Sequence, residues 1–449
     1  GLEMGKRALF AQQAAMTVTG HNISNANTEG FSRQRAIMKT TIPIPHPGMN
    51  TGQAPGQVGT GVEVTGIERL REQYLDRQYR YQSSQNGYWE MTLTNMEQVQ
   101  SAFNEPTELG LKTAVDTFWE SWQDLINEPE SQSAREIVVQ RGIALVEAFQ
   151  HVSGSLKAVK DEMTSVLQEK TVQANQIGEE IRKVNEEIAR LVPHGYAPND
   201  LYDRRDLLVD QLSKLIDIAD TPAPSGMVNI TAAGQPLVVD KTSVTPLTET
   251  STANSGEIRA LQNLVGAGGT IDSYLANLDK MALTLSSEIN ALHQIGYDLN
   301  GAQNNLSFFV GTTADTLQVN EQLRLSPTKI AAAEKPAPGD SGMARQIAAI
   351  KFTEMPSYLG GPFTIDQFYV SMISKVGVET DQADRFLKST DLSMNAIEQK
   401  RQSISGVSLD EEMTNMLKYQ HAYNAASRSI NAIDEMLDKL INGTGTVGR

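Results

Sequence analysis

The 449-residue chain has no cysteine. Disulfides, thiol catalysis and cysteine-based zinc sites are therefore excluded. Aromatic residues make up only 6% of the chain, so its core must rest on aliphatic side chains and Met. Basic residues are also in short supply. Against 54 Asp and Glu there are 38 Lys and Arg, a formal net charge of -16. Phosphate recognition needs clustered bases, so this balance argues against a nucleic-acid partner and against an anionic membrane surface. No stretch reaches the ~18 apolar residues that a membrane-spanning helix requires. Residues 1–10 hold no continuous apolar run, so no cleavable signal peptide is expected.

Catalytic motifs are also missing. The six histidines are His21, His46, His151, His194, His293 and His421, and no two stand at i, i+4, so a helical zinc pair is absent. There is no phosphate-binding Gly-Lys-Ser/Thr loop and no G-x-S-x-G elbow. The run GTGTVG at 443–448 matches a dinucleotide fingerprint in letters alone. The mechanism needs a strand before it and a helix after it, and here a helix precedes and only Arg449 follows. Paired acids such as Asp161 with Glu162, or Glu411 with Glu412, sit where solvated helix faces are expected. Trp119 and Trp122 fall with Phe118 at helical spacing and read as core packing, as does Trp89. No catalytic residue, metal ligand or cofactor follows from this sequence.

What the sequence does hold is helical periodicity, and the expected fold is mainly α. At that length, a mean hydropathy of -0.34 fits an elongated, multi-domain chain. Residues 2–23 read as a helix in which Leu2, Leu9, Met16 and Ile23 recur every seven residues, the pattern of a seam. Asn22, Asn25, Asn27 and Gly30 stop it. Pro43, Pro45, Pro47 and Pro55 forbid a helix in the next segment, and Val62 and Val64 alternate in a strand or hairpin pattern. From 69 to 218 the pattern is helical. Its longest run is 135–191, where Met163, Leu167, Ala174, Ile177, Ile181, Val184, Ile188 and Leu191 step by three and four, interrupted at Lys170. Another helix is expected at 200–218. The Thr-, Ser- and Gly-rich residues 221–269 suggest strands at 228–231 and 236–240. A further seam starts at Ile271, a strand is expected at 317–325, and a helix at 365–404. The last helix is the cleanest: Leu409, Met416, Tyr423, Ile430 and Leu437 form one column, and Tyr419, Ala426, Ile433 and Leu440 the other. Ser408 and Glu411 suit a capping box at its start.

Both chain ends are thus seam-forming helices. The expected organisation is a terminal helical assembly unit (1–36 and 408–449), an extended or hairpin linker (37–68), and a helical body (69–221, 270–302 and 351–407). A small β-rich insertion forms a variable outer region (222–269 and 303–350).

The stretch GHNISNANTEGFSRQ at 20–34 resembles the N-terminal signature of bacterial flagellar axial proteins, which include rod, hook and hook-filament junction subunits. Within it, Asn22, Asn25 and Asn27 can cap the helix end, Gly30 tolerates a left-handed turn and Phe31 is left to dock. The stretch SGVSLDEE at 405–412, with Tyr419, Gln420, Tyr423, Ile430 and the IDEML run at 433–437, is similar to the hook-filament junction branch, the hook-associated proteins. GTGVEV at 59–64, NDLYDRRDLL at 199–208 and GYDLNG at 296–301 agree with it. The resemblance covers both ends and most helical segments, and is weak at 221–269 and 303–350.

That resemblance implies a structural adaptor between flagellar hook and filament. Its terminal helices would line an inner tube, with the helical body outside it. It implies partners: the hook protein, the second junction protein, copies of the chain in a ring, and an export chaperone covering the C-terminal helix. It also implies an extracellular place on the flagellum, reached through the flagellar type III apparatus. In the implied assembly seam, Leu2, Leu9, Met16 and Ile23 pack against Met416, Tyr423, Ile430 and Leu437. A second reading is another axial protein, such as a hook, distal rod or second junction subunit. A third, an enzyme housed in 221–350, has no supporting constellation.

Overall fold

A computed structural model describes residues 1–42, 59–103, 110–303, 305–337 and 339–443. The fold is mainly α and elongated, with small antiparallel sheets. The expected proline-rich segment lies outside the described residues, apart from its flanks. Helix α1 (Leu2–Ser24) is followed by β1 (Gln34–Thr40), which pairs antiparallel with β2 (Val62–Arg69). The register runs from Gln34 opposite Arg69 to Thr40 opposite Val62. β1 is hard to read from sequence because its alternation sets Arg35, Ile37 and Lys39 to solvent, a weakly apolar pattern.

Four helices open the body: α2 (Gln73–Phe103), α3 (Leu111–Asn127), α4 (Gln132–Leu191) and α5 (Asn199–Leu215). α4 has 60 residues, about 90 Å of helix at 1.5 Å per residue. The Ser131 side chain caps its start by accepting from the Ala134 N–H. The expected seam from Met163 to Ile188 is buried. At the interruption the stripe passes through buried Thr171, which frees Lys170 to reach Glu257 at 2.7 Å. α5 stops at Leu215, before the expected 218, because Ile216 takes an extended conformation and leads into the next strand.

Strands β3 (Ile218–Pro222), β4 (Val228–Ala232), β5 (Gln235–Val239) and β6 (Ser243–Val244) form a meander in sequential order. Ile230, Leu237 and Val238 are buried. A Cβ on Gly178 of α4 would lie 3.3 Å from Leu237, so the missing side chain lets the strand seat closely. Asn185 of α4 fixes the seating by donating to the carbonyls of Val228 and Asp240, each at 2.8 Å.

The remaining expectations for the outer segments need correction. Residues 222–269 also contain α6 (Gly256–Val265), whose Ile258 and Leu261 are buried in the body core. Its short apolar stripe is masked in sequence by Thr, Ser and Gly on either side. Residues 303–350 are not β-rich: β7 (Phe309–Val310) pairs with β8 (Gln318–Val319), two residues each. The strand expected at 317–325 turns at Asn320, whose side chain accepts from the Gln322 N–H and starts α8 (Glu321–Leu325). α7 (Thr270–His293), α9 (Gly342–Ala349) and α10 (Pro356–Leu359) complete this part.

His293 and Arg135 hold the irregular segment onto the helices. His293 Nδ1 donates to the Leu306 carbonyl at 2.6 Å, and Nε2 accepts from the Ala331 N–H at 3.1 Å. Burial pushes its pKa down to about 4. Arg135 gives its guanidinium to the carbonyls of Pro129 and Ile330, and burial lowers its pKa to about 10. The aromatic core gathers Phe118, Trp119, Trp122, Phe308 and Phe309. Trp119 and Trp122 are thus core residues, while Trp89 stacks on Phe386 at 4.6 Å. Phe386 belongs to α11 (Ile365–Ser405), which runs back along α2 and leads to α12 (Leu409–Gly443).

Candidate assembly site at the paired chain ends

α1 and α12 pack side by side in opposite directions. A Cβ on Gly1 would stand 2.9 Å from Ile433, one on Gly5 2.6 Å from Ile430, and one on Gly20 3.8 Å from Met416. Glycines therefore allow the close approach. The buried positions of α1 are Gly5, Ala11, Ala15, Val18, Thr19 and Asn22, mostly small residues. The column Leu9, Met16 and Ile23 is half-buried, and Leu2 is 43% exposed. On α12, Met416, Tyr419, Tyr423, Ile430 and Ile433 are half-buried. Leu409, Leu437 and Leu440 remain 48%, 41% and 61% exposed. With Met413, Leu417, Met436 and Ile441 they leave α12 with uncovered apolar surface, which a soluble helix rarely keeps without a partner.

The buried apolar residues of α1 are not part of the body core. The start of α12 is tied to α1 and β1 by polar contacts. Glu412, in the first turn of α12, is 2% exposed. Arg33 donates to its Oε1 from Nε at 2.8 Å, and Asn22 donates to its Oε2 at 3.0 Å. Asn22 also donates to the Gln34 carbonyl and accepts from the Gln34 N–H, both at 2.9 Å. Its role is thus to bridge α1, β1 and α12 rather than to cap. Asn25 does cap, donating to the His21 carbonyl at 3.0 Å. Gly30 has φ +77° and lies against Leu207, and Phe31 packs edge-on against His21. Asn27 is exposed. The expected capping box forms only in half. Ser408 Oγ accepts from the Glu411 N–H at 3.5 Å, but the Glu411 carboxylate is taken by Arg33 Nη1 at 2.8 Å.

Beneath this lies an ionic layer that sequence reading did not place. Asp203, Asp206 and Asp210 of α5 follow Asn199 at helical spacing, all facing inward. Asp203 accepts from the Ser32 N–H at 3.0 Å, tying the signature loop to the body. Arg69 Nη1 contacts Asp203 at 2.8 Å and Asp206 at 3.0 Å. Arg71 pairs with Asp76 at 2.6 Å, and Arg80 with Asp210 at 2.7 Å. Arg401 of α11 reaches Asp210 at 2.7 Å and Asp76 at 3.2 Å, and lies over the Tyr79 ring at 4.2 Å. Burial would raise the Asp206 carboxyl, but Arg71, Arg205, Arg69 and Arg80 hold it down at about 2. One signal was available, and it was weak: acids at i, i+3 and i+7 share one face of α5, but that face lies opposite apolar Leu208 and Leu212, where a solvated stripe is expected.

Among the described residues no group of His, Asp and Glu is placed to hold a metal ion, and no helix is long and apolar enough to cross a membrane. The arrangement is one of paired helices, internal ion pairs and exposed apolar side chains on α12.

Comparison with known proteins points the same way. Residues 96–255 and 243–309 match the flagellar hook-associated protein FlgK helical domain. Residues 2–31 match the flagella basal body rod protein family, and 398–443 the C-terminal family of the basal body rod FlgEFG proteins. The flagellar hook-associated protein 1 of Bacillus subtilis is 33% identical, covering 100% of this chain and 99% of that one. The Escherichia coli protein of that name is 23% identical, covering 97% and 98%. The solved flagellar hook junction protein FlgK of Burkholderia pseudomallei superposes with a TM-score of 0.62 at 14% identity, over 73% of this chain and 100% of that one. The paired terminal helices, the helical body and the end-to-end identity with these relatives place the chain in the flagellar hook-associated protein 1 family, a family of flagellar structural proteins.

Proposed function

We propose that this chain is the structural adaptor between hook and filament, and that its copies close into a ring through α1 and α12. The observation that carries this reading is the pairing of the two chain ends while the side chains of Leu409, Met413, Leu417, Met436 and Ile441 stay exposed. The ends match rod-protein families and the body matches the hook-associated helical domain. This supports a division of labour, with the ends as the shared axial device and the body as the part that makes a junction. The same reading takes 1–36 and 408–449 as the assembly unit. Its partners are the hook protein on one side and the second junction protein on the other.

Uncovered apolar residues on α12 are a liability before assembly, and an export chaperone covering 408–449 would answer it. Loss of chaperone binding on deletion of that segment is expected, and retained binding would count against this part. In this reading the chain leaves the cell through the flagellar type III apparatus. Burying a large aliphatic side chain contributes ~1.5–3 kcal/mol, while ordering each residue costs ~1–2 kcal/mol. Two helices alone are thus marginal, and full order comes with neighbours.

The deciding experiment is electron microscopy of flagella from cells lacking this chain. Bare hooks with filament protein lost to the medium are expected. Normal filaments would overturn the proposal.

A further inference from the structure

A cleft of about 450 Å³ opens between the start of α2, α5 and the β3–β4 turn, beside the ionic layer. Five arginines line it: Arg69, Arg71, Arg77, Arg80 and Arg205, with Tyr202 as an aromatic wall under two of them. The acids lining it are Asp76, Asp206 and Asp220. Asp206 is already shared among Arg69, Arg71, Arg80 and Arg205. Arg77 is exposed and makes no ion pair among the described residues. Arg69, Arg71, Arg80 and Arg205 are matched by Asp76, Asp203, Asp206, Asp210 and Asp220, so among the described residues Arg77 at the rim is the lining arginine left to meet an acid from outside.

Its complement lies on the same chain. Asp161, Glu162, Glu169, Glu180 and Glu187 are exposed along α4 and form no ion pairs among the described residues. Lys183 is the unpaired base between the last two. Copies of so acidic a chain repel one another unless acid meets base at their contact. A ring further needs two different patches on each copy, because a heterologous contact joins unlike surfaces. The arginine cleft and the α4 ridge are two such patches.

We infer that the arginine cleft around Arg77 receives the acidic ridge of α4 from a second copy, as a lateral contact outside the terminal helices. The contact rests on the assembly reading above and deepens it by naming a second surface. It is electrostatic, so it weakens as salt screens charges beyond ~8 Å at physiological ionic strength.

The chain's lack of cysteine makes the test clean. Arg77→Cys is combined in turn with Glu169→Cys, Glu180→Cys and Glu187→Cys in the full chain, expressed in cells without the native protein. Isolated hooks are then treated with a short bismaleimide. Cross-linked dimers and higher multimers in at least one pair are expected, together with loss of filament-bearing hooks in Arg77→Glu and their recovery on adding Glu180→Lys and Glu187→Lys. Chain present on hooks with no intermolecular product from any pair would overturn the contact while leaving the adaptor reading intact. Wild-type chain absent from hooks would overturn both.

Discussion

Glu412 and Arg33 stand 379 positions apart in sequence and meet in an ion pair of 2.6 Å whose carboxylate is buried. The pair closes the loop between the first and last helices, and Asn22 completes it from α1. Arg33 keeps Glu411 when Glu412 is lost, but its Nε and the Asn22 amide lose their buried acceptor, which costs more than the intact contacts contribute. Glu412→Ala is therefore expected to destabilise the α1–α12 unit by about 3 kcal/mol. Hydrogen exchange by mass spectrometry should show faster exchange in both terminal helices and unchanged exchange in α4. Equal protection in wild type and variant would contradict the role given to Glu412.

Gly5 sets how closely α1 and α12 approach. An added methyl would sit 2.6 Å from Ile430 Cγ1, so something must shift. Gly5→Ala is expected to cost about 1–3 kcal/mol through overpacking, despite Ala's better helix propensity. Ile430→Ala should recover part of that loss in the double variant. Chemical denaturation followed by a probe in α12 measures both, and simple additivity of the two losses would refute the contact.

The ionic layer should be costlier to break than any surface pair. Asp210 accepts from Arg80 and Arg401, each at 2.7 Å. Asp210→Ala removes the shortest acceptor of two largely buried guanidinium groups, although Asp220 stays with Arg80 and Asp76 with Arg401, so a loss of about 3 kcal/mol is expected. Reversal of the exposed pair Arg385 and Asp381, at 3.0 Å, should change stability by less than about 1 kcal/mol. Comparable unfolding midpoints for the two variants would sink this distinction.

Acid should weaken the fold in two windows. His293 has its folded pKa lowered from 6.5 to about 4, so the folded state resists the proton that the unfolded chain accepts. Stability is full above pH 6.5 and falls as pH drops toward 4, with a limiting slope of about 1.4 kcal/mol per pH unit. Asp206 is lowered from 3.8 to about 2. Its contribution is present above pH 3.8 and is lost as pH falls through 2. Urea midpoints measured from pH 7.5 to 4.5 should decline in wild type. In His293→Asn the decline over that range should flatten, even though its baseline is lower. An unchanged slope would assign the effect to other groups.

The uncovered side of α12 separates folding from assembly. Leu440 and Ile441 are 61% and 72% exposed, so replacing both by Ser should alter monomer stability by less than about 0.5 kcal/mol per site. Filament-bearing hooks should nonetheless become rare in cells carrying that variant. Wild-type motility would show that this face has no partner.

Much of this molecule was legible without coordinates. The stepping of apolar residues from Met163 to Ile188 determined α4, because a stripe at three and four can be buried only by a helix. Seven-residue columns at the two ends likewise announced helices, although the face that α1 buries is its small residues Gly5, Ala11 and Ala15 rather than the column itself. Composition excluded cysteine chemistry and argued against nucleic-acid binding before any fold was known. Tertiary structure decided what local pattern cannot encode. The strand β1 exists because β2 lies beside it, since its own alternation is weakly apolar. α6 is helical because the body core receives Ile258 and Leu261, although Thr, Ser and Gly surround it. Asp203, Asp206 and Asp210 could have been ordinary solvated acids. They are buried because four arginines from β2, the β2–α2 connection, α2 and α5 converge on Asp206, and convergence of distant charges is a property of the folded chain alone.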